Sequence, residues 1–112
     1  MTNQEALNKV WDYFVVQGNP PSYDGSSCFY RLNGKRCAVG VLIPDEEYAP
    51  DMEDIVAPDM IQVVPSLSGL SGRFLLSIQT THDDASSEPD FGSEIVKRLR
   101  WVAEDYGLEV PK

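Results

Sequence analysis

Residues 28–48 read CFYRLNGKRCAVGVLIPDEEY, and this stretch decides the fold. Asn33-Gly34 is the strongest short hairpin signal, because a type I′ turn needs positive φ at both central residues. The turn predicts strands over Cys28–Leu32 and Lys35–Val39. A two-residue turn pairs Leu32 with Lys35, Arg31 with Arg36, Tyr30 with Cys37 and Cys28 with Val39. Side chains alternate faces along a strand, so Cys28, Tyr30, Cys37 and Val39 share one face. The small apolar run Ala38–Ile43 either extends the strand or starts a short buried helix, and periodicity does not separate the two at this length. Pro44-Asp45 ends it and suits the start of a helical turn running to Tyr48.

Outward from the hairpin, three segments carry helical periodicity. Thr2 and Glu5 form a capping-box pattern ahead of Leu7, Val10, Trp11, Phe14 and Val15, which predicts a helix over 3–17. Gly18 suits the position after it, and Asn19-Pro20-Pro21 prevents its continuation. Leu70, Phe74, Leu75 and Ile78 predict a second helix over 68–83, with His82 near the same stripe in its last turn. Asp90 or Ser93 caps a third over 91–106, with Ile95, Leu99, Val102, Ala103 and Tyr106 inward and Gly107-Leu108 as its stop. Between hairpin and second helix, residues 45–59 hold seven acids and no base, broken by Pro50 and Pro58. That composition reads as an irregular solvated segment, and Ile61–Val64 as a short edge strand ending at Pro65. Three amphipathic helices and one small hairpin give a single α+β domain over residues 1–112, helices packed on each other and on the hairpin.

The chain is 112 residues long with a formal net charge of −9. Apart from Lys35-Arg36 and Lys97-Arg98-Arg100, the latter on the polar face of an amphipathic helix, the nine basic residues are scattered, which argues against nucleic-acid binding, since that requires a basic patch. No apolar run approaches the roughly 20 residues that span a bilayer. The N-terminus shows no secretory leader, and two cysteines without one suit reduced thiols in a cytoplasm.

The residues placed so far are similar to those of a family of small single-domain proteins from bacterial and phage genomes. The resemblance rests on C-x-Y-R at Cys28, Tyr30 and Arg31, then on G-x-x-C-A-V-G-x-L-I-P-D-E-x-Y from Gly34 to Tyr48. It extends to Leu75, Leu76, Gln79, His82 and Asp83, and to Gly107-Leu108. It implies kinship and a microbial or viral source; no activity is assigned to that family, so none is implied.

Several constellations bear on chemistry. Cys37 and His82 are the candidate catalytic pair for a cysteine-dependent hydrolase or transferase, since a thiol nucleophile needs a base within reach. Asp83, adjacent to His82, is a poor orienter because neighbouring helical side chains diverge by about 100°. Zinc accepts a set drawn from Cys28, Cys37, His82 and a carboxylate. C-x₈-C is not a knuckle spacing, however, and the expectation is no metal and no cofactor. A Cys28–Cys37 disulfide is disfavoured, because diagonal partners in this register lie about 7–8 Å apart. Candidate binding residues are Arg31, Arg36, Tyr48 and Trp101. A partly exposed Trp101 beside Arg98 suits a protein interface, although the plainer reading has it complete the core. The sequence therefore reads as a binding protein acting on another protein, with a homodimer as a second expectation. The alternatives are the cysteine enzyme and a protein that binds or sequesters a small ligand between hairpin and helices.

Overall fold

Helix α1, Asn3–Trp11, begins as the sequence predicts. The Thr2 hydroxyl accepts the Glu5 amide (3.1 Å), and the Glu5 carboxylate accepts the Thr2 amide (2.9 Å). The helix does not stay regular to residue 17; it widens into a π-helical turn at Asp12–Val16. Gly18 then leaves it with φ +70°. The computed structural model of the protein describes residues 1–111.

The hairpin forms at the predicted turn, Asn33 and Gly34 both taking positive φ (+51° and +81°). Strand β1, Arg31–Leu32, pairs with β2, Lys35–Arg36, in the expected antiparallel register. The ladder is shorter than expected. The Cys37 amide still donates to the Tyr30 carbonyl (3.3 Å), but there the chain turns into helix α2, Ala38–Leu42. Cys37 is its N-cap, its sulfur accepting the Gly40 amide at 3.3 Å. The pairing of Cys28 with Val39 does not exist: Cys28 bridges to Tyr23, and the Val39 amide donates to Gln79 Oε1 (3.1 Å). The ambiguous apolar run is thus a buried helix. Its side chains must contact α1 and α3 together, and a strand would leave half of them facing solvent.

The acidic stretch is not a solvated loop. It folds as consecutive 3-10 turns at Asp45–Glu47, Pro50–Asp54 and Ala57–Gln62, followed by Pro65–Leu67. Pro50, Pro58 and Pro65 each sit in the opening turn, where a fixed φ is an advantage and a missing N–H costs nothing. The expected strand at Ile61–Val64 is absent. Met52, Ala57, Met60, Val64 and Leu67 point inward at a spacing that suits tight helical turns.

Helix α3, Gly72–Ser86, starts four residues later than predicted, at a Ser71 cap, and runs three further. Helix α4, Phe91–Asp105, is capped by Asp90. Leu108 closes it through a bond from its amide to the Ala103 carbonyl (2.8 Å). Helix α3 is the hub. It packs on α4, on α2 and on the Ala57–Gln62 turn, burying Phe74, Leu75 and Ile78 completely. The result is the α+β arrangement of several helices and one two-stranded hairpin around a single core. Among the described residues, no helix is long and apolar enough to cross a membrane.

Candidate functional site

The acidic segment reaches back to hold the hairpin. Glu53 accepts the amides of Tyr30 (2.8 Å) and Arg31 (3.1 Å) and the hydroxyl of Tyr48 (2.6 Å). Asp45 takes both Arg31 and Arg36 at 2.8 Å. The Arg31 guanidinium also donates to the Ile43 carbonyl (2.8 Å) and lies 4.6 Å from the Tyr48 ring centroid. Burial, then the Glu53 carboxylate, pushes the Tyr48 phenol up to about 12. Three of the four candidate binding residues, Arg31, Arg36 and Tyr48, are therefore committed to a knot within the chain. Glu47 likewise holds the amide and hydroxyl of Ser66, and these bonds lower its carboxyl below the usual range.

Trp101 is free of that network. It is 49% exposed and does not complete the core, which is already filled by Leu99, Val102 and Ala103 from the same helix. Lys97 and Arg98 lie 5.6 and 5.7 Å from its ring centroid. Beside it, between α3 and α4, runs a groove of ≈ 450 Å³ lined by Leu76, Thr80, Asp84, Arg98, Trp101 and Asp105, among others. Leu76 is 50% exposed.

A second cleft, ≈ 270 Å³, lies between the segment carrying Cys28 and Tyr30, the 3-10 turns and α3. Cys28, Glu53, Gln79 and Asp83 line it. The cysteine that meets His82 and Asp83 here is Cys28. The Cys28 sulfur, a His82 ring nitrogen and an Asp83 carboxylate oxygen all lie within 4.8 Å of one another. Cys28 is held in place by its loop. The Ser22 hydroxyl donates to the Phe29 carbonyl, the Phe29 amide returns to Ser22 (3.0 Å), and Asp24 caps the amides of Ser26 and Ser27. His82 is fully buried against Phe14 and Phe91. Its Nδ1 lies 3.0 Å from Asp83 Oδ1, so the adjacent carboxylate does reach the imidazole. The 100° divergence of neighbouring side chains therefore does not keep the two apart. Gln79 steadies the same oxygen from one turn earlier (2.8 Å).

Cys37 is outside this trio. It is fully buried, and burial above all drives its thiol pKa upward. Burial, then the charge of Asp83, pushes the Cys28 thiol up to about 12. Both cysteines are free thiols. Neither environment favours the thiolate that a nucleophile needs. In the folded protein, iodoacetamide should therefore modify both slowly, and denaturant should release both to full reactivity. Cys37→Ala should cost about 1–3 kcal/mol, because it empties a buried place and removes the sulfur that caps the Gly40 amide. Rapid folded-state modification of Cys37 by mass spectrometry, with an unaltered melt, would overturn this and restore the Cys37–His82 pair.

Sequence reasoning missed Glu53 as a clamp and set Asp83 aside. The one available signal was the spacing of Gln79, His82 and Asp83, which places the first beside the other two across one helical turn.

No family model matches the chain. No solved structure matches it. Among curated proteins it is similar to the trigger factor of Trichodesmium erythraeum (strain IMS101), 37% identical over 60 residues. That alignment takes in 52% of this chain and 12% of the trigger factor, so the likeness is to a small segment of a much longer protein.

Proposed function

We propose that this chain acts by binding another polypeptide in the groove between α3 and α4, with Trp101 as the anchor. The observation that carries the reading is the half-exposed indole of Trp101, held beside Leu76 and backed by two cations. Tryptophan loses little conformational freedom on contact and recurs at the centres of interfaces. Asp105 at the groove, on a chain of net charge −9, suits a partner that presents an apolar side chain flanked by Lys or Arg. Arg98 does not oppose such a partner, being engaged by Glu94 (3.1 Å) and Asp84 (3.7 Å). The same reading places the protein in the cytoplasm and groups it with the small bacterial and phage proteins whose C-x-Y-R and G-x-x-C-A-V-G text it shares.

The test uses a helical peptide of alternating leucine and lysine blocks, and its leucine–glutamate counterpart, as probes. Trp11 is buried, so a change in tryptophan emission reports Trp101. The basic peptide should shift the emission to the blue and the acidic one should not. Trp101→Phe serves as the spectral control. Trp101→Ala, followed by a label on the peptide, should weaken binding by about 30-fold, as expected for a 2 kcal/mol anchor. It should change stability by less than about 1 kcal/mol. Binding unaffected by Trp101→Ala would sink the proposal. A second copy of the chain is the other occupant: sedimentation at micromolar concentration showing a dimer that Trp101→Ala dissolves would assign the groove to self-association.

A further inference from the structure

We propose that Cys28, His82 and Asp83 form a binding site for a zinc-class divalent cation at the inner end of the cleft between the Cys28 loop and α3. The site is distinct from the groove at Trp101. Its donors come from two places far apart in sequence, which only the fold unites: Cys28 from the bridged loop, His82 and Asp83 from adjacent positions in α3.

Sulfur, imidazole nitrogen and carboxylate oxygen together are the donor mix of zinc, and a poor one for magnesium or calcium, which prefer oxygen alone. Donor atoms on one tetrahedral zinc at ~2.0–2.3 Å lie about 3.5 Å from each other. The three here are already within 4.8 Å, so closure requires side-chain movements of about 1 Å. Three protein donors leave a fourth position, and Cys28 and Asp83 both line the cleft, so that position faces solvent or a ligand.

Two further observations separate this trio from an ordinary packed histidine. The fully buried imidazole has no side-chain hydrogen bond outside the trio: Nδ1 meets Asp83 Oδ1 at 3.0 Å, and Nε2 has no partner among the described residues. Buried polar atoms are rarely left so. A thiol sulfur and a carboxylate oxygen also converge on that one imidazole, each within 4.8 Å of it. On binding, the Cys28 thiol releases its proton to solvent, and the sulfur coordinates as thiolate. Gln79, through its bond to Asp83 Oδ1, is a positioning residue for the carboxylate.

Cobalt(II) is the probe, because a thiolate on cobalt gives a charge-transfer band in the near ultraviolet that carboxylates alone do not produce. The full chain, reduced and freed of metal with chelator, should take up one equivalent with that band, and zinc should displace it. Cys28→Ser should abolish the band. Asp83→Asn, at a half-exposed position, should weaken cobalt affinity by ~10-fold or more. Cys37→Ala should retain the band, with circular dichroism confirming that each variant is folded. No charge-transfer band at saturating cobalt overturns the proposal, as does a band that survives Cys28→Ser or is lost in folded Cys37→Ala.

Discussion

Gly40→Ala should be the most damaging single-methyl change in this protein, costing about 3 kcal/mol or more, or preventing folding outright. Helix α2 lies so close to the preceding strand that a Cβ at Gly40 would collide with the Tyr30 carbonyl oxygen and lie 2.9 Å from the carbonyl carbon. Both are backbone atoms, so no rotamer change relieves the overlap. Tyr30 cannot retreat either. Glu53 holds its amide, the Ile55 carbonyl accepts its hydroxyl, and its own carbonyl accepts the Cys37 amide. Gly92→Ala is the control. It lies in the first turn of α4, where the nearest atom to a new Cβ is Asp90 Oδ1 at 3.7 Å. Alanine there should be neutral or stabilise by up to ~1 kcal/mol, through helix propensity and a less flexible unfolded chain. Urea unfolding followed by circular dichroism reads both. A Gly40→Ala protein within about 1 kcal/mol of the parent would show that α2 can move off the strand, and that the close approach is not a constraint.

Glu53→Ala should be the second large loss, about 3 kcal/mol. The side chain is half-buried and accepts three hydrogen bonds, two of them from backbone amides of the hairpin entry. Removing it strands the Tyr30 and Arg31 amides and the Tyr48 hydroxyl away from good partners. Unsatisfied donors cost more than the bonds themselves were worth. Glu53→Gln should lose less, since one acceptor oxygen remains. Tyr48→Phe removes a single bond and should cost about 1 kcal/mol. The double variant Glu53→Ala/Tyr48→Phe should be less unstable than the sum of its parts, because both changes break the same contact. Additive losses would show that Tyr48 is held by its ring packing under Arg31 rather than by Glu53.

These two sites mark where local reading stops. The Asn33-Gly34 turn, its register, the caps at Thr2 and Asp90 and the stop at Gly107-Leu108 were legible, because each depends on a backbone conformation or a bond a few residues away. The faces of α1, α3 and α4 were legible for the same reason: helical period sorts apolar from polar without reference to the rest of the chain. The acidic stretch was not. Its charge reads as solvation, whereas Asp45, Glu47 and Glu53 each bond residues 9 to 23 positions away, and prolines that look like breakers start tight turns. Whether Ala38–Ile43 became strand or helix depended on whether α1 and α3 enclosed it. The grouping of Cys28 with His82, and the placing of Cys37 under a helix end, depended on the path of the intervening chain. The sequence by itself determined the hairpin turn, the caps of α1 and α4 and the inner faces of the three long helices, since those are set by neighbours within a turn or two. The tertiary structure alone decided which thiol meets the imidazole, which acids serve as internal acceptors and which tryptophan stays at the surface. Those outcomes depend on contacts between segments dozens of residues apart, and no local period records them.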